Sequence, residues 1–123
     1  MAAHAFQGLL QNYFEGYWLV LRAFRYLQRK SYSEKDFVKK VSHLGQKALK
    51  LELIERPEAI SNIIFLNALK YYLEKSVIEK RTEDEKGKER DQEFYTDAGN
   101  RLLVQHYSKQ ISRFLRSPHF TLQ

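Results

Sequence analysis

Residues 6 to 29 read as a single long helix, and that run constrains the rest of the chain more than any other feature. Phe6, Leu10, Tyr13, Tyr17, Leu21 and Phe24 recur at three- and four-residue steps, the spacing that places side chains on one helix face. Leu9, Phe14, Trp18 and Leu27 widen that stripe, while Leu19, Val20 and Tyr26 add apolar surface elsewhere around the wheel. A helix so apolar has two outcomes in water: the other elements wrap around it, or part of it buries against something else. Arg22, Arg25 and Arg29 give it a narrow basic edge.

The remaining residues supply the wrapping elements. Ser31-Tyr32-Ser33 interrupts the pattern, and Ser33 with Asp36 three residues later is a capping-box-like start. A second helix follows from about Glu34 to Lys50, with Phe37, Val38, Val41, Leu44, Gly45 and Ala48 on its inner face. Its lysines fall largely on the other side. Pro57 marks the next boundary. A third helix is expected from roughly Glu58 to Lys75, apolar nearly all round through Ile60, Ile63, Ile64, Leu66, Leu69, Tyr72 and Leu73, and so expected to be the central one.

Val77 to Arg81 and Gln92 to Thr96 are short and strand-like, and they flank a polar stretch containing Gly87. This reads as a β-hairpin or wing with a mobile tip. A charged extension of the third helix, fraying at Gly87, is the alternative. A last helix is expected to start near Thr96 or Asp97, to carry Leu103, Val104, Tyr107, Ile111, Phe114 and Leu115 as its stripe, and to stop at Ser117-Pro118. The expected fold is therefore mainly α: a long N-terminal helix, a winged-helix-like helical core with a short β-hairpin, and a C-terminal helix.

The chain's 123 residues suffice for one small domain, residues 1–123. Hydrophobic residues at 43% and charged residues at 29% exclude disorder of the whole chain. No run approaches the roughly 20 apolar residues of a membrane span, since Tyr17 to Leu21 ends at Arg22. The pattern turns helical almost at once after Met1, as a segment cut from a longer protein would.

Chemistry-bearing motifs are scarce. The chain has no cysteine, which removes thiolate zinc sites and thiol nucleophiles. His4, His43, His106 and His119 are too far apart in sequence for a one-helix zinc pair. Gly8, Gly16, Gly45, Gly87 and Gly99 are scattered, so there is no phosphate-cradling loop. No catalytic, cofactor-binding or metal residue is expected, and no cofactor. Glu15, the one acid of the first helix, reads as a solvated position, with contact to a partner as the alternative. The net charge of +6 suits nucleic acid, anionic lipid or acidic protein alike. Nucleic acid is the poorest fit. The third helix has only Lys70 and Lys75 as cations beyond Ser61, and the hairpin between Glu79 and Glu93 holds five basic and seven acidic side chains, a net of −2.

Two segments resemble the C-terminal region of glycerol-3-phosphate acyltransferases. Leu9 to Ala23, with its aromatic-acid-small-Tyr run Phe14-Glu15-Gly16-Tyr17, is similar to a stretch that follows the catalytic domain in that family. Ala59 to Ile78, a serine followed by an apolar helix, Asn67-Ala68-Leu69, aromatics and a short strand, resembles the family's C-terminal end. The resemblance implies a non-catalytic domain of a membrane-associated enzyme of phospholipid biosynthesis, one that moves an acyl group from a thioester to glycerol 3-phosphate or dihydroxyacetone phosphate. The family's catalytic motif is His-x-x-x-x-Asp. Here Leu9, Ala48 and Ile111 stand five residues after His4, His43 and His106, so no catalytic residue carries over. The implied partners are an acyltransferase domain upstream of Met1 and an anionic membrane surface at its cytoplasmic face. The candidate interface residues are Tyr13, Phe14, Tyr17, Trp18, Arg22, Arg25 and Arg29. A winged-helix-like adaptor that binds protein or nucleic acid is the alternative.

Overall fold

A computed structural model describes residues 2–83 and 92–113. Helix α1 spans Ala2–Leu27, strand β1 Tyr32–Ser33, helix α2 Glu34–Lys50 and a 3-10 turn Pro57–Ala59. Helix α3 spans Asn62–Glu74, strands β2 and β3 Ile78–Glu83 and Gln92–Asp97, and helix α4 Arg101–Ser112. The protein is mainly helical, with one small antiparallel sheet of order β1-β3-β2. The hairpin reading holds. Ile78 pairs with Asp97 and Glu83 with Gln92, and the two residues of β1 pair with Tyr95 and Phe94 on the other edge of β3. The expected mobile tip, the side chains of Phe6 and Leu9, and Phe114, Leu115 and Pro118 lie outside what is described.

Helix α2 forms where its caps and charges dictate. Ser33 Oγ accepts from the Asp36 N–H at 3.3 Å, Glu34 and Asp36 occupy the positive first turn, and Lys47 and Lys50 the negative last turn. Phe37, Val38, Val41, Gly45 and Ala48 are buried, as the pattern requires. Helices α2 and α3 both stop in the same way. After α2 the Leu53 N–H reaches Ala48 O and the Glu52 N–H reaches Leu49 O; after α3 Val77 and Ser76 repeat the pattern on Tyr72 and Leu73. These Schellman-type closures place Glu52 at φ 60° and Ser76 at φ 61°, left-handed conformations usually left to glycine.

Two expectations change. The third helix starts later than Pro57 suggested. The proline opens only a 3-10 turn, Ile60 and Ser61 break it, and Ser61 Oγ caps α3 by accepting from the Ile64 N–H at 3.4 Å. Nor is α3 the central helix, since Ile63 is 73% exposed and Leu66 39%. That place belongs to α1, whose Leu19, Val20, Leu21, Ala23, Phe24 and Leu27 are all buried. At roughly 1.5–3 kcal/mol for each large apolar side chain buried, this stripe is a main source of stability. Phe24 lies edge-on to Tyr72 of α3 at 5.4 Å and stacks on Phe37 of α2 at 5.9 Å, so one ring joins three helices. The aliphatic part of the long apolar run is thus the domain's own core.

The last helix also starts later than expected. Thr96 and Asp97 finish β3 rather than cap a helix. Asp97 Oδ1 accepts from the Gly99 N–H at 3.1 Å, and Gly99 turns the chain at φ 74° into α4.

Candidate functional site

The aromatic-acid-small-Tyr run of α1 is a structural clamp. Glu15 is fully buried, which corrects its reading as a solvated residue. Its carboxylate accepts the Glu55 N–H through both oxygens at 3.1 Å, the Arg56 N–H at 2.9 Å, and Gln11 Nε2 at 2.8 Å. A carboxylate buried without water needs such donors. Here most of them come from main chain about forty residues away, so Glu15 holds the segment before Pro57 against α1. Asn12 Oδ1 accepts from Arg56 Nε beside it. Gly16 lets the same segment approach. A Cβ there would clash with Ile64 Cγ2 and sit 3.1 Å from Ala59 O. The Tyr17 carbonyl then accepts from the Tyr72 hydroxyl at 3.4 Å.

Beyond the clamp, the candidate interface residues divide between two sides of α1. Phe14 and Tyr17 face α3 and α4, where they line a cavity of about 220 Å³ with Tyr71, Tyr72, Tyr107 and Ile111. The Tyr17 ring lies 6.0 Å from that of Tyr71 and 5.9 Å from that of Tyr72. Burial, then the neighbouring phenols Tyr17, Tyr71 and Tyr107, push the Tyr72 hydroxyl far above the ordinary tyrosine range. Tyr17 shifts the same way, mainly through burial and next through Tyr13. Tyr13 itself is 45% exposed, and Leu10, one turn away, is 38% exposed.

Trp18, Arg22 and Arg25 face α2. They line a groove of about 250 Å³ whose far wall is Lys40, His43 and Lys47. Its floor and end are Leu44, Ala48, Leu51 and Leu53, with Tyr26 at the α1 side. The cations lie against rings: Arg22 is 5.7 Å from the Trp18 ring centre, and Arg25 and Lys40 are 5.5 and 5.1 Å from that of Tyr26. Such contacts, worth about 0.5–1 kcal/mol each when exposed, hold the charged heads at the groove. No carboxylate lines it among the described residues. Arg29 lies in an adjoining concavity with Arg25, Tyr26 and Gln28. Sequence spacing located the α1 half of the groove. Lys40, His43 and Lys47 were missed because only packing brings α2 alongside.

Among the described residues, no three His, Asp or Glu side chains gather as a metal site, and no helix is long and apolar enough to cross a membrane. His106 is exposed beside Tyr107, and His119 lies outside the described residues.

The family model of the glycerol-3-phosphate acyltransferase C-terminal region matches residues 1–81. The chain belongs to that family. The match takes in α1, α2, α3 and the beginning of β2, so the Glu15 clamp and the whole α1–α2 groove fall inside it. Strand β3 and helix α4 lie beyond its end. No curated protein and no solved structure matches the chain.

Proposed function

We propose that this chain is a non-catalytic docking domain of a membrane-associated glycerol-3-phosphate 1-O-acyltransferase, acting in phospholipid biosynthesis by packing on the acyltransferase domain at the membrane. Family membership carries the enzyme class. The observation that carries docking is the pair Leu10 and Tyr13. Both are large, exposed and one helical turn apart on α1, while the residues that follow on the same helix already fill the core. An aromatic with a hydroxyl beside an aliphatic is a common composition for a protein interface. The enzyme would transfer an acyl group from a thioester to the first hydroxyl of glycerol 3-phosphate, with its base and acceptor site on the partner domain.

The test is an acyl-transfer assay on this chain, on a family acyltransferase domain, and on the two mixed. Turnover by the chain alone would refute the non-catalytic role. Activity or solubility of the acyltransferase domain that rises on adding this chain supports docking.

A second reading, a winged-helix-like adaptor, is favoured by the element order helix, short strand, helix, helix, hairpin and by β1 pairing on β3. Between Asn62 and Glu74 the only cation of α3 is Lys70, while Ile63 and Leu66 are exposed. Such a helix suits a protein partner better than a phosphate backbone.

A further inference from the structure

The α1–α2 groove combines three properties that rarely meet on a surface chosen at random. It carries four cations from two helices, Arg22 and Arg25 on one wall and Lys40 and Lys47 on the other. It has an apolar floor and end, formed by Leu44, Leu51 and Leu53. And Trp18, an amphipathic ring with one donor, stands at its edge with Arg22 against its face. Positive walls with no lining carboxylate among the described residues favour an anion. Arginine forks match phosphate oxygens, and lysines add point charge. The apolar end fits a ligand that is charged at one end only. At about 250 Å³ the groove is below the roughly 300–1,000 Å³ of clefts that enclose a whole drug-sized ligand, so it takes a headgroup rather than a helix. Tryptophan beside basic side chains is the composition of segments that rest at a membrane interface.

We propose that this groove seats the phosphate-bearing headgroup of an anionic phospholipid in the bilayer. Arg22, Arg25, Lys40 and Lys47 would meet the phosphate, and Trp18 with Leu44, Leu51 and Leu53 the glycerol and the start of the acyl chains. The proposal deepens the docking reading by naming the contact made on the membrane side, and it rests on the membrane part of that reading.

The chain has one tryptophan, and it is in the groove, so its fluorescence reports occupancy directly. The chain is titrated with phosphatidylcholine vesicles, with phosphatidylcholine vesicles containing phosphatidylglycerol, and with inorganic phosphate. The anionic vesicles are expected to shift Trp18 emission to the blue and shield it from a water-soluble quencher. Neutral vesicles and inorganic phosphate are expected to do neither. Arg22→Gln with Arg25→Gln, and separately Lys40→Gln with Lys47→Gln, should each weaken vesicle binding by more than tenfold, at about fivefold for each cation removed. Lys35→Gln with Lys39→Gln removes the same charge from a different concavity of α2 and serves as the control, with an expected loss below threefold.

Equal losses in the control and groove variants would overturn the proposal in favour of diffuse charge attraction. An equal response to neutral vesicles, or saturation by inorganic phosphate alone, would overturn it too. An unshifted Trp18 in the presence of anionic vesicles would leave the groove to an acidic protein surface. None of these failures touches binding to the acyltransferase domain, which is measured without lipid.

Discussion

Replacing Glu15 by alanine is the sharpest test of how this domain holds together. The carboxylate takes two main-chain N–H groups, those of Glu55 and Arg56, and the amide of Gln11, and it is fully buried. Hydrogen bonds to a charged acceptor contribute roughly 1.5–3 kcal/mol each, and an orphaned buried donor costs about 1–3 kcal/mol. Water can reach part of the loop, so the lower values apply to the two main-chain donors. Glu15→Ala should then lose about 3–4 kcal/mol. For a chain of this length about 1 kcal/mol corresponds to roughly 3–5 °C in Tm, so the midpoint should fall by about 9–20 °C. Glu15→Gln keeps the shape and one acceptor oxygen, and should lose only about 1–2 kcal/mol. Urea denaturation followed by circular dichroism gives both values. Hydrogen exchange adds the local signature: the Glu55 and Arg56 amides should be protected in the parent and exchange rapidly in the alanine variant. A loss below about 0.5 kcal/mol, the range of an ordinary surface substitution, would refute the clamp and return Glu15 to a solvated role.

Gly16→Ala would add up to about 1 kcal/mol of helix propensity in an exposed helix. Here the clash with Ile64 should reverse the sign to a net loss of about 1–2 kcal/mol, relieved in the double variant with Ile64→Ala, as a double-mutant cycle would reveal. Ser76→Gly should stabilise by up to about 1 kcal/mol, because φ is 61° there; a loss in thermal melts would contradict the left-handed closure of α3. Tyr72 has its folded pKa raised above the ordinary value of 10.0, so the unfolded chain releases this proton first. Its contribution is complete below pH 10 and declines as pH rises towards the folded pKa, and Tyr72→Phe should flatten the fall in urea midpoint between about pH 9.5 and 11.

What could be read from the sequence was what is local. The α2 boundaries follow from Ser33 and Asp36 at one end and Lys47 and Lys50 at the other, all within a few residues of the backbone groups they serve. The hairpin follows from two β-rich segments around a polar stretch. The errors came where a distant contact overrides a local signal. Pro57 resembles a helix start, yet the segment before it is held to α1 by Glu15, and α3 waits for the cap at Ser61. Thr96 and Asp97 are good caps in isolation, but pairing with β2 keeps them extended. An apolar composition suggested that α3 was central, though Ile63 is turned outwards. The basic edge of α1 was legible through the spacing of Arg22 and Arg25; its partner wall on α2 was not, because helix packing alone sets those residues opposite.

In the docking role we propose, Leu10 and Tyr13 face the acyltransferase domain of a glycerol-3-phosphate acyltransferase. A photo-crosslinking amino acid placed at position 13 of this chain, mixed with such a domain and irradiated, measures that contact directly. A crosslink to the acyltransferase domain is expected from position 13 and is lost when Leu10 is changed to Asp, with the same label placed at exposed Lys70 giving none. Equal labelling from both positions, or no crosslink from position 13 at concentrations where the two proteins co-elute, would contradict it.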